Sequence, residues 1–97
     1  MIYVKKNKNQ NSEVLAVCDE DLIGENFKYK DLKLEISEHF YKGKLVNEEE
    51  AILSMREAKN INIAGKNSIN LAIKAKIIQK ENIIKIKNIP HALIFEI

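Results

Sequence analysis

Residues 60–77 of the chain read NINIAGKNSINLAIKAKI. The short apolar segment Ile61–Ala64 is followed by Gly65 and then by an amphipathic run, which predicts a glycine turn leading into a helix over residues 67–76. The first backbone N–H groups of a helix have no partner inside it and favour an anion. The stretch therefore predicts an anion-binding site, whose candidates are Gly65, Lys66, Asn67 and Ser68.

The order Gly65-Lys66-Asn67-Ser68 resembles the end of a nucleotide-binding P-loop, but the pattern is incomplete. Asn60 stands where the first glycine belongs, and the hydroxyl comes one position late. What remains is a weaker site, at which backbone amides and Lys66 hold one phosphate of a larger ligand. The alternative is that Gly65 serves only the backbone turn, while Asn67 or Ser68 caps the helix.

Length and composition indicate one compact domain over residues 1–97. The chain has 97 residues, of which 45% are hydrophobic, and this is enough to close a modest core without a metal or a disulfide. Cys18 is the only cysteine, which favours a reducing compartment, and we expect the cytoplasm. The apolar start of the chain is too short for a signal-peptide core, and we expect no membrane segment.

Alternating and helical patterns supply the other elements. Asn47, followed by three glutamates, predicts a capped helix that buries Ala51, Ile52, Met55 and Ala58. In the second helix the buried positions would be Ile69, Ala72, Ile73 and Ile77. Strands are predicted over residues 2–6, 13–18, 32–36, 83–87 and 92–97.

Two of these strands carry a more specific expectation. Leu32, Leu34 and Ile36 alternate with polar residues, so they should share one face of their strand. Pro90 should interrupt the last strand region, because proline cannot donate to a sheet. Strands at both ends that enclose two helices predict an α+β fold, a mixed sheet with two helices packed on one face.

Charge is distributed unevenly along the chain. Residues 1–8 hold three lysines and no acid, residues 9–58 hold six basic and twelve acidic groups, and residues 59–97 hold seven lysines and two glutamates. If the two ends of the chain lie side by side, they form a basic face. A row of Lys5, Lys8, Lys85 and Lys87 would then follow an RNA backbone, with Lys85 and Lys87 on one strand face. The alternative is a set of scattered, solvated lysines.

Other chemistries have weaker support. The acidic turn at residues 19–25 lacks the spacing of a calcium loop and is more typical of a solvated loop than of a magnesium or calcium site. Cys18 and His91 form a nucleophilic pair only if the fold brings them together, whereas a buried, inert thiol is the commoner arrangement. We therefore expect no enzyme, no metal and no cofactor.

Two partner classes follow. The first is RNA or a ribonucleoprotein, with a translation-associated role, and the second is a basic protein bound by the acidic residues 19–25 and 48–50.

Four segments spread along the chain carry a family resemblance. They are VLAVCDEDLIG at 14–24, FYKGKLV at 40–46, NIAG at 62–65 and IPHA at 89–92. In order and spacing the chain resembles a family of short archaeal proteins designated domain of unknown function number four hundred and twenty-four. The resemblance implies a compact α+β domain of the archaeal cytoplasm and no established activity. It draws attention to Asn62, Gly65 and His91, which lie within these segments, and to Lys76, where relatives are expected to carry a helix-ending glycine.

Overall fold

The computed structural model describes residues 1–95, in which strands alternate irregularly with short helices. The strands are β1 (Ile2–Lys8), β2 (Glu13–Asp19), β3 (Asn26–Tyr29), β4 (Leu32–Glu35), β5 (Lys44–Val46), β6 (Ile61–Ala64), β7 (Ile83–Ile86) and β8 (Ile89–Ile94). The helices are α1 (Glu38–Tyr41), α2 (Glu48–Glu57) and α3 (Lys66–Lys74), and single 3₁₀ turns cover Glu20–Leu22 and Lys80–Asn82. The predicted helix over 67–76 is thus α3, which begins one residue earlier and ends two residues earlier.

Six strands form one mixed sheet in the order β5-β1-β2-β6-β8-β7. All neighbours are antiparallel except β2 and β6, which pair in parallel with Leu15 opposite Ile61 and Cys18 opposite Ala64. Because parallel strands end at the same edge of a sheet, Asp19 at the end of β2 comes to lie beside Gly65, which follows β6. The two strands β3 and β4 form a separate hairpin.

The sheet is covered on both faces. Helices α2 and α3 bury one apolar cluster, which includes Val17, Met55, Ile63 and Ile69. The hairpin and α1 bury a second cluster on the opposite face, which includes Cys18, Ile36 and Tyr41. The radius of gyration is 12.3 Å, close to the value of about 12.5 Å expected for one domain of this length. The α+β fold with two helices on one face is confirmed, and the hairpin layer is an addition to it.

Local signals at the first long helix are confirmed. The Asn47 side chain accepts a hydrogen bond from the Glu50 N–H at 2.9 Å, and Ala51 and Met55 are buried. Ile52 and Ala58, which were also predicted to be buried, are partly buried and pack against the same cluster. The Glu50 carboxylate lies 3.5 Å from the Lys44 ammonium, an exposed pair that contributes little to stability. In the strand predicted at 32–36, Leu34 and Ile36 are buried, but Leu32 is exposed because it lies at the tip of the hairpin.

The expectation that Pro90 interrupts the last strand is wrong. Pro90 lies within β8, and its carbonyl accepts a hydrogen bond from the Gly65 N–H at 3.0 Å. In an antiparallel strand the N and O atoms of one residue face the same neighbouring strand. The Pro90 nitrogen, which carries no hydrogen, therefore faces a position beyond the end of β6. The turn before β8 consists of Lys87 and Asn88, and the part of the predicted strand 92–97 beyond residue 95 lies outside the described residues.

Within residues 1–95, none of the helices has the length and apolar character that crossing a bilayer requires.

Candidate nucleic-acid interface

The start of α3 is occupied by a carboxylate of the protein itself. Asp19 Oδ2 accepts a hydrogen bond from the Asn67 N–H at 3.0 Å, and Oδ1 accepts from the Ser68 N–H at 2.8 Å and from the Ser68 hydroxyl at 2.7 Å. Both Asp19 and Ser68 are buried. A carboxylate here favourably complements the positive end of the helix dipole and satisfies donors that the helix leaves unpaired.

Gly65 makes room for this carboxylate. A Cβ atom on Gly65 would lie 2.4 Å from Asp19 Cγ, and the φ angle of 108° disfavours other residues. The amides of Asn67 and Ser68 therefore face an internal acid, and the external phosphate expected there has no place in this arrangement. Of the two alternatives, a backbone turn at Gly65 and capping at the helix start fits the structure, with Asp19 instead of Asn67 or Ser68 as the capping acceptor.

A basic groove lies between α3 and the β7–β8 hairpin, on the face of the sheet that carries the helices. Three exposed lysines line it: Lys66 at the start of α3, Lys80 in a 3₁₀ turn and Lys85 on β7. The groove has a volume of about 570 Å³ and also contains Asn70, Asn88 and an apolar floor. We refer to it below as the lysine groove. Two predicted candidates, Lys66 and Lys85, meet here.

Lys66, Lys80 and Lys85 form no ion pair with any residue that the structure describes. Among residues 1–95 no acidic side chain lines the groove, and the ion pairs found there involve other lysines. Lys80 was not among the residues predicted from the sequence. Lys80 lies across the groove from Lys66 because the sheet order places β7 beside β8 and next to α3. No local sequence pattern encodes this sheet order.

The predicted row of terminal lysines does not form. Strands β2, β6 and β8 separate β1 from β7, and four strand spacings amount to about 19 Å. Lys5 pairs with Ala16 on the face opposite the helices and donates to the His39 carbonyl, while Lys8 lies 3.5 Å from Glu13. Lys87 lies in the turn after β7, so it does not share a strand face with Lys85. The supposition that both chain ends lie side by side is therefore wrong.

A second polar group lies on the opposite face of the sheet. The Asn62 side-chain oxygen accepts a hydrogen bond from the Tyr41 hydroxyl at 2.7 Å and lies 2.8 Å from His91 Nε2. Since that oxygen only accepts, Nε2 is the protonated nitrogen of the ring. Desolvation lowers the pKa of His91 and raises the pKa of Tyr41, so both side chains are neutral near pH 7. Asn62 and His91 are thus brought together, away from the lysine groove.

Cys18 and His91 occupy the same face of the sheet with one strand between them. Cys18 is opposite Ala64, and Ala64 is opposite His91. The thiol is buried, and this burial, aided by Asp19 and Asp21, raises the pKa of Cys18 to about 12. The protonated thiol is a poor nucleophile. In the described part of the chain no three His, Cys, Asp or Glu side chains come close enough to hold a metal ion.

Comparisons with known proteins agree with this architecture. The model of a family described as protein of unknown function (DUF424) matches residues 7–97. A crystal structure of an uncharacterized conserved protein from Methanopyrus kandleri is similar in fold, with a TM-score of 0.82 and 30% sequence identity over 99% of this chain and 93% of that one. A search of curated proteins found no match. Because the family model covers nearly the full length, and the fold agrees with that of an archaeal relative, the chain belongs to the DUF424 family.

Proposed function

We propose that the protein binds single-stranded RNA in the lysine groove. The observation that carries this proposal is the convergence of Lys66, Lys80 and Lys85 on one concavity, which no acidic side chain of the described residues lines. Phosphate groups supply the complementary charge, and lysines that neutralise them release bound counterions, which drives association. The apolar floor between the lysines offers a surface for the bases.

The size of the groove favours a single strand over a duplex. A volume of about 570 Å³ lies within the range of about 300–1,000 Å³ that is typical of small-ligand pockets. Such a space admits an individual base or phosphate of an unpaired strand, whereas a base that is paired and stacked inside a duplex is not free to enter it. Backbone contacts by lysine position the strand without reading its sequence.

The test is the affinity of a fluorescently labelled RNA oligonucleotide, measured by anisotropy at low salt. Replacing Lys66, Lys80 and Lys85 by glutamine should weaken binding by about tenfold or more, because contacts with about three phosphates are lost. The matched control replaces Lys28, Lys42 and Lys59, which are exposed and lie outside the groove, by glutamine. Equal loss in both triple variants, or no RNA binding by the parent protein, would contradict the proposal.

The same proposal includes a setting in the cytoplasm, on RNA exposed by a ribonucleoprotein particle such as the translation machinery. A single, buried, unpaired cysteine supports a reducing compartment. Affinity purification from a native extract, with and without ribonuclease, tests this setting. RNA-dependent recovery of ribonucleoproteins is the expected result, and recovery that ribonuclease leaves unchanged would indicate a direct protein partner instead.

A further inference from the structure

The polar groups between the lysines suggest that the groove selects a base as well as holding phosphates. Asn70 lies one helical turn after Lys66 on α3, and Asn88 lies in the turn between β7 and β8, so the two amides come from opposite walls. Both side chains are exposed, and within residues 1–95 neither hydrogen-bonds to another residue. They therefore remain available to a ligand.

The floor between these amides is apolar. Ile73 and Ile83, which are half-buried, and Pro90, which is buried, contribute to the lining of the groove. The flat face of a nucleic-acid base can pack on this apolar floor. The packing removes the floor from water, which favours binding of the base. A base that carries a carbonyl oxygen would bind less well if that oxygen were buried against the apolar floor without a hydrogen-bond donor.

We propose that the lysine groove seats an adenine base of the bound RNA, with Asn70 and Asn88 as the residues that recognise its edges. This inference rests on the proposed function and specifies its ligand. Adenine is the one common base without a carbonyl oxygen, and its large ring system suits the apolar floor. Each side-chain amide offers one acceptor and one donor, which match the amino group and a ring nitrogen on either polar edge of adenine.

None of the described residues that line the groove is aromatic, so recognition depends on these amides more than on stacking. Loss of the amides should therefore remove base preference while leaving the phosphate contacts of Lys66, Lys80 and Lys85 in place. The base preference and the overall affinity for RNA therefore depend on different residues of the groove.

The experiment compares the affinities of labelled oligoadenylate, oligocytidylate and oligouridylate of equal length. The parent protein should bind oligoadenylate about tenfold more tightly than the two others, a difference of about 1.4 kcal/mol. The test variant combines Asn70→Ala with Asn88→Gly. Glycine is chosen at position 88 because its φ of 67° disfavours alanine. This variant should bind all three oligonucleotides alike, within about threefold of the parent's weaker affinities.

The control variant combines Asn11→Ala with Asn26→Ala, two exposed positions outside the groove, and should keep the preference. Circular dichroism and urea unfolding check that each variant is folded. Equal affinity of the parent for all three oligonucleotides, or a preference that survives in the groove variant, would overturn the adenine assignment while leaving RNA binding intact. Absence of salt-dependent RNA binding in the parent would overturn both proposals.

Discussion

Asp19 is the side chain that joins the two central strands to the first turn of α3. Its three hydrogen bonds satisfy two backbone donors and one hydroxyl, all buried or partly buried. Hydrogen bonds to a charged group contribute about 1.5–3 kcal/mol each, and a buried donor left without a partner is costly. The sequence shows Asp19 only as the first acid of an acidic turn. Its role depends on a contact across 49 positions of the chain, which no local pattern reveals.

Replacement of Asp19 by asparagine should lower the free energy of unfolding by about 2 kcal/mol or more. The asparagine removes the charge that complements the helix dipole, and its NH₂ group would face backbone donors. Urea unfolding followed by circular dichroism measures this change. Glu20→Gln, an exposed neighbour, is the control and should change stability by less than about 0.5 kcal/mol. A similar small effect for Asp19→Asn would contradict the capping role.

His91 should make stability depend on pH. Burial lowers its pKa below the ordinary value of 6.5, so the unfolded chain takes up a proton at a higher pH than the folded protein does. The contribution of His91 to the free energy of unfolding is therefore fully present above about pH 6.5. It is lost as the pH is lowered from there towards the pKa of His91 in the folded protein. His91→Gln keeps a donor for Asn62 but does not titrate, so it should lose less stability between pH 7.5 and 5.5. Identical pH profiles of the two proteins in urea unfolding would refute this linkage.

The end of α3 shows how a residue with an unfavourable conformation terminates an element. The Ile77 N–H bonds to the Ala72 carbonyl at 2.9 Å, the Lys76 N–H bonds to the Ile73 carbonyl at 3.0 Å, and Lys76 has a φ of 61°. This is a Schellman motif, whose left-handed position favours glycine. The apolar spacing continues to Ile77, so the sequence predicts a helix as far as residue 76. That side chain instead packs against the core through the motif.

Replacement of Lys76 by glycine should raise the free energy of unfolding by about 0.5–1 kcal/mol. The left-handed conformation costs a residue with a Cβ about 1–2 kcal/mol, and the greater freedom of glycine in the unfolded chain offsets part of this gain. Lys74→Gly, inside the last helical turn, is the contrasting variant and should be destabilising by about 0.5–1 kcal/mol. Thermal and urea unfolding measure both changes. Destabilisation by Lys76→Gly would show that the backbone at position 76 is not left-handed.

Elements with local signals were predictable, and their neighbours in space were not. The Asn47 cap is encoded within four residues, and the apolar run before Cys18 is sufficient to identify a strand. The prediction that Pro90 interrupts the last strand is wrong because the rule against proline in an inner strand considers only that strand. Whether proline is tolerated in β8 depends on where the neighbouring strand β6 ends. The sheet order similarly separates Lys5 from Lys85, although charge counting along the chain groups them.

The lysine groove exists only in the assembled fold. It draws Lys66 from α3, Lys80 from a 3₁₀ turn and Lys85 from β7, and the parallel pairing of β2 with β6 fixes where α3 begins. The sequence predicts phosphate contacts for Lys66 and Lys85 in two different arrangements, one at the amides of α3 and the other along the terminal strands. The fold instead gives them a shared concavity, while the amides are turned inward to Asp19.

The salt dependence of RNA affinity shows whether the lysines of the groove bind phosphates. For an unpaired strand, the slope of log affinity against log salt concentration is about −0.7 for each phosphate neutralised, so three groove lysines predict a slope of about −2. The measurement is anisotropy of a labelled oligonucleotide across a salt series, for the parent and for the variant with glutamine at positions 66, 80 and 85. RNA binding in the lysine groove predicts a slope of about −2 for the parent and a slope near zero for the variant. The same slope in both proteins, or a parent affinity that salt leaves unchanged, would contradict it.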